Sequence, residues 1–201
     1  MNTLSTMEVE ICFLLQESLN SEPLTQPDIA RNTASMVRSA EAVGHEAELA
    51  AYYAQVLQLA RKQGLGFDPI RHHFWLRLWL WNSEANVHIS FPWYDTLSEM
   101  DPVLTALSTL APGQTFHDID QGWEIELSAR DTLIHIRHGN PDDEDGTPQT
   151  EVSVPRAALS DQIASLRART LGLIAHLSGA LGCDVWSAPL KPQAAVPAAP
   201  R

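Results

Sequence analysis

The nine residues His73-Phe-Trp-Leu-Arg-Leu-Trp-Leu-Trp81 constrain the fold more than any other stretch of the chain. Alternation puts Phe74, Leu76, Leu78 and Leu80 on one side and Trp75, Arg77, Trp79 and Trp81 on the other, so both faces are bulky. A strand of that kind has to be covered on two sides, which implies a layered protein with helices available to cover it.

The elements around it support that class. Asn86-Val-His-Ile-Ser-Phe91 alternates again and is stopped by Pro92, and Leu97 to Leu110 reads as a short helix interrupted near Asp101-Pro102. Strands are expected over residues 115–120, 123–128, 132–138 and 151–154, with Ala129-Arg130-Asp131 making a hairpin of the middle two. Pro155 then opens a long helix whose stripe runs Leu159, Ile163, Leu166, Thr170, Leu173, Ile174, Leu177 and Leu181, ending at Gly182.

The first 66 residues read as three helices. Met7, Ile11, Leu14, Leu15 and Leu19 keep helical spacing; Thr25 with Asp28 resembles a capping box for a helix carrying Ile29, Met36, Val37, Ala40 and Val43; the third runs from Glu46 to Gln63 and stops at Gly64. The expected fold is therefore α+β: N-terminal helices, one antiparallel sheet of about five strands, and a long C-terminal helix packed on the sheet. Residues 1–66 form a helical segment in this reading and residues 67–182 the α+β domain. Residues 183–201, rich in proline and alanine, form a tail expected to be disordered.

Charge narrows the function. The formal net charge is −12, and residues 71–154 carry 14 acids against 4 bases. Such a field repels phosphate backbones and anionic lipid and attracts basic proteins, so nucleic acid and membrane are excluded as expected partners. Cys12 and Cys183 stand at opposite ends of the chain and make no disulfide framework, which fits a reducing cytoplasm. No stretch reaches the ~18 apolar residues needed to span a bilayer.

The densest acid lies in His138-Gly-Asn-Pro-Asp-Asp-Glu-Asp-Gly-Thr-Pro-Gln149. With Gly146 as position 6 of a calcium loop, Asp143 and Asp145 fit positions 3 and 5. Pro141 and Val152 then fall at positions 1 and 12, where neither can ligate. The stretch reads instead as a solvated hairpin loop or as the tip of an acidic contact surface that includes Asp118, Asp120, Glu124, Glu126 and Glu151. Eight histidines show no metal spacing, no GxSxG elbow is present, and the glycines mark helix ends and not phosphate loops. No catalytic, cofactor or metal residue is assigned. Trp75, Trp79 and Trp81 are expected beneath a helix, with one or two rings available as an interface anchor.

The succession Gly122-Trp-Glu-Ile-Glu-Leu127, Thr132-Leu-Ile-His-Ile136, the acidic loop, and Val152-Ser-Val-Pro-Arg-Ala-Ala-Leu159 into a long helix resembles the small acidic α+β immunity proteins of bacterial polymorphic-toxin systems. The resemblance covers residues 70–182 and rests on layout and acidity. It implies a cytoplasmic, non-enzymatic protein that binds one cognate toxin and blocks its active site. Charge alone nominates the partner-binding residues: Asp142, Asp143, Glu144 and Asp145 first, Glu124 and Glu126 next. The alternative is a secretion chaperone or adaptor, which would bind its cargo through an apolar groove and not through charge.

Overall fold

The computed structural model describes residues 7–31, 35–83, 86–91, 96–120, 122–140, 142 and 149–188. The long interior run of the sequence becomes β5 (Leu76–Asn82), whose Leu76, Leu78 and Leu80 are fully buried. It begins three residues later than the alternation suggests. Asp68–Phe74 is a 3-10 helix with a proline in its first turn, and only at Trp75 does the backbone return to extended geometry.

The N-terminus departs most from expectation. Glu8–Leu14 is not a helix but strand β1, an interior strand of its sheet, and Val9 to Leu14 are all buried. A short apolar run buried on both faces satisfies helical and strand periods equally. Val9, Ile11 and Phe13 favour the pleated surface. The second expected helix is also absent over most of its length. Ser18–Leu19 and Glu22–Pro23 form a small ribbon (β2 and β3), Met36–Arg38 is strand β4, and only Ser39–Ala42 is helical (α1). No capping box forms at Thr25: its N–H donates to Gln55 Oε1 at 2.9 Å, and that of Asp28 to Glu48 Oε2 at 3.1 Å. Both acceptors lie on α2 (Glu46–Lys62), the one N-terminal helix found where the pattern places it, with Gly64 beyond its end at φ +69°.

Among the described residues two four-stranded antiparallel sheets therefore replace the single sheet of about five strands, with the ribbon as a third. The first has the order β4-β1-β5-β6, where β6 is Val87–Ser90. The second consists of β7 (Thr115–Asp120), β8 (Trp123–Arg130), β9 (Leu133–Gly139) and β10 (Thr150–Pro155), in the order β10-β9-β8-β7. β10 also lies against β6, so edge strands of the two sheets meet. Between them in sequence, α3 (Leu97–Thr109) runs unbroken through Pro102. Its start is fixed by a capping box in which Thr96 N–H donates to Glu99 Oε2 at 2.8 Å.

The long helix α4 (Arg156–Leu181) ends at Gly182, φ +72°, and buries the stripe from Leu159 to Leu177 against β1, α2 and α3. Val185 and Trp186, within the stretch assigned to the tail, are buried. Trp186 has no exposed surface and packs its ring at 6.5 Å from Phe13, 5.0 Å from Tyr53 and 5.7 Å from Phe74. The carbonyls of Trp186 and Ser187 accept from Leu97 N–H and Ser98 N–H at 2.7 and 3.1 Å. These are first-turn donors of α3 that have no partner within the helix. Asp184 Oδ1 in turn accepts from the Trp186 and Ser187 N–H groups at 3.0 and 2.9 Å, which fixes the turn that delivers the indole.

Candidate functional site

Alternation in the second sheet sends Ile125, Leu127, Ile134, Ile136, Val152 and Val154 into the core and leaves the opposite face in solvent. The strand register assembles that outer face in rows. His117, Glu126, Arg137 and Glu151 stand side by side across all four strands, an alternation of basic and acidic side chains. Adjoining rows hold Thr115, Ser128, His135 and Ser153 on one side, and Ile119, Glu124 and Gly139 on the other.

Both nominated strand acids are on this face, and both have local partners. His117 Nε2 lies 2.6 Å from Glu124 Oε1, and Arg137 Nη1 donates to Glu126 Oε2 at 3.2 Å. All four side chains keep a third to a half of their surface in water, so each pair contributes at most about 1 kcal/mol. Asp142 is exposed beyond β9, its N–H donating to Asn140 Oδ1 at 3.0 Å. Asp143, Glu144 and Asp145 lie outside the described residues, as does Pro141. The sheet thus brings Glu124 and Glu126 together on one surface, and Asp142 follows the end of the interior strand β9. Among the described residues no group of three or more His, Cys, Asp or Glu side chains is placed to hold a metal ion.

A second surface forms around the tryptophans expected to lie beneath a helix or to anchor an interface. On the face of the first sheet opposite Val9, Ile11 and Phe13, register aligns Glu8 with Trp81 and His88, Glu10 with Trp79 and Ser90, and Cys12 between Arg38 and Arg77. Trp79 is buried and Trp81 half-buried, their rings 5.4 Å apart, with His88 edge-on to Trp79 at 4.6 Å. The Arg38 guanidinium sits 5.9 Å above the Trp81 ring and is paired to Glu41. Trp79, Trp81, Arg38 and His88 line a cleft of ≈ 280 Å³. The alternation of residues 73–81 foretold the tryptophans, but their neighbours come from β1 and β4, whose strand character the sequence did not reveal.

Cys12 is a candidate nucleophile on this face, and burial pushes its thiol up to about 12. The neighbouring Glu10 carboxylate acts in the same direction, and Arg38 and Arg77 do not offset the two. A thiol so held stays protonated at neutral pH, which is the opposite of what nucleophilic catalysis requires.

At the edge of β1 beyond the end of β4, Glu10 is buried and its Oε1 accepts from Ile11 N–H at 3.0 Å and from the Ser39 hydroxyl. Arg169 of α4 donates through Nη2 to both carboxylate oxygens at 3.0 Å and through Nε to Ser39 Oγ at 2.8 Å. The charge is compensated from three elements, so this acid holds the fold together and is not open to a partner.

No family model matches this chain, and no curated protein and no solved structure matches it.

Proposed function

We propose that the protein is a non-catalytic binding protein, an immunity-type inhibitor that neutralises a cognate toxin by covering a basic surface of it. The observation that carries this reading is the four-stranded outer face, partly exposed to solvent, that bears Glu124, Glu126 and Glu151. It lies within a segment of 14 acids and 4 bases. Many enzymes that act on nucleic acid present basic clefts, and a surface of opposite sign associates with them quickly and in a salt-dependent way. Because Arg137 and His117 already partner the two β8 acids, a toxin arginine or lysine has to exchange for them. That exchange favours specificity over raw affinity.

The cleft beside Trp79 and Trp81 lends support to the alternative reading, a secretion chaperone or adaptor that holds an effector segment against apolar surface. The two readings separate in one experiment. The tagged chain is used to capture its partner from the native host, and that partner is then expressed alone and together with the chain. Growth arrest by the partner alone, relieved by co-expression, supports the inhibitor. A harmless partner whose secretion depends on the chain supports the adaptor and overturns the inhibitor.

A further inference from the structure

Among the described residues the two four-stranded sheets end in four edge strands. β6 and β10 meet each other, β4 offers only Met36–Arg38, and β7 (Thr115–Asp120) is left as a six-residue edge with no strand beside it. The backbone of β7 is used on one side. Gln114 O accepts from Ala129 N–H at 3.1 Å, and in the register that follows Phe116, Asp118 and Asp120 turn their amides and carbonyls to Leu127, Ile125 and Trp123 of β8. Those of Thr115, His117 and Ile119 point the other way, and no described residue bonds to them. Three amides and three carbonyls in a row are a template for one more strand. The side chains of these three residues are exposed as well, Ile119 at 55%, the most exposed large apolar side chain described.

We propose that a second copy of this chain supplies that strand, β7 pairing antiparallel with its own counterpart about a two-fold axis at His117. Charge and register both select the copy. Apart from the imidazole of His117 the outward row carries no ionisable side chain, so two chains of net charge −12 can touch here without opposing acids. The axis at His117 sets Thr115 against Ile119 of the second copy and Phe116 against its Asp118, which covers the exposed isoleucine. An axis at Asp118 would oppose two carboxylates, and one at Phe116 would pair Ile119 with Gly113, which leaves extended geometry at φ +84°. Two-fold pairing also closes on itself, because it makes one eight-stranded sheet and leaves no β7 edge for a third chain. The paired strand spans about 20 Å and buries less than the roughly 800 Å² per partner of a standard interface, so the dissociation constant is expected at about 10–100 µM. The pairing goes beyond the reading of a basic partner and holds whatever that partner is.

Sedimentation equilibrium of the full chain over about 1–500 µM is the test. The expected result is a monomer–dimer equilibrium that tightens from ~50 to ~500 mM salt, as repulsion between two acidic chains is screened, whereas a complex with a basic partner weakens. Ile119→Pro removes an outward amide that the β8 ladder does not use and should weaken the dimer at least about tenfold, with the unfolding midpoint verifying that the variant is folded. Amide exchange followed by NMR gives a readout without substitution: Thr115, His117 and Ile119 should gain protection as concentration rises, while Phe116 and Asp118 are protected throughout. A chain that stays monomeric to about 500 µM overturns the pairing, as does a dimer in which those three amides exchange no more slowly than in the monomer. Protection that appears only when the captured partner is added assigns the edge to that partner and likewise overturns pairing between copies.

Discussion

Arg169 on α4 grips both carboxylate oxygens of Glu10 on β1 at 3.0 Å, joining residues 159 positions apart in the chain. The carboxylate sits where β4 ends and α1 begins, accepting the β1 amide hydrogen that the short strand β4 leaves unmet. Removing one partner strands the other, so Arg169→Met is expected to cost roughly 3 kcal/mol in chemical unfolding. Glu10→Gln combined with Arg169→Met should cost less than the two single changes added together. Strict additivity in that cycle would contradict the coupling.

Trp186 fills the space between Phe13, Tyr53 and Phe74, and its carbonyl caps α3. Trp186→Ala should lower stability by about 3–5 kcal/mol, and ending the chain at Gly182 should lower it further because two α3 donors also lose their acceptors. Thermal unfolding checks both; a truncated chain as stable as the full one would contradict the docking.

The two thiols are expected to behave differently. Cys183 is exposed and Cys12 fully buried, so a disulfide reagent at pH 8 should modify one thiol per native chain and two after denaturation. Since the native Cys12 thiol is raised from 9.0 to about 12, the unfolded chain releases its proton first. Stability contributed by this group is complete below about pH 9 and declines as pH climbs towards 12. Cys12→Ser should flatten that decline.

Acid acts through His73. It is buried on the 3-10 helix with its Nδ1 unpartnered, and burial, with a smaller contribution from His72, lowers it from 6.5 to about 4. The native chain therefore binds fewer protons than the unfolded chain between those values, and stability falls as pH drops from 6.5 towards 4. His138, also lowered by burial, acts in the same direction. Urea unfolding at a series of pH values should show this slope, and it should be shallower in His73→Gln.

Legibility in the sequence followed the number of buried faces. Strands β8 and β9 expose one face, so polar and apolar residues alternate, and the alternation alone puts Glu124 and Glu126 on the outer face. The stripe of α4 and its Gly182 stop are equally plain. In β1 both faces are covered, the alternation vanishes, and Val9 to Leu14 could not be told from a helix. For that reason neither the four-stranded first sheet nor the cleft beside Trp79 and Trp81 shows in the sequence. Trp186 was hidden for another reason, because an indole docked by long-range contacts in a stretch without periodicity leaves no local pattern.

Recognition of a basic partner by an acidic surface shows in the dissociation constant of the complex with the captured partner, measured from ~50 to ~500 mM salt. Affinity should weaken steadily as salt rises, with the slope reduced when Asp142, Asp143, Glu144 and Asp145 are replaced by their amides. An affinity that is flat across the series in the unmodified chain would contradict it.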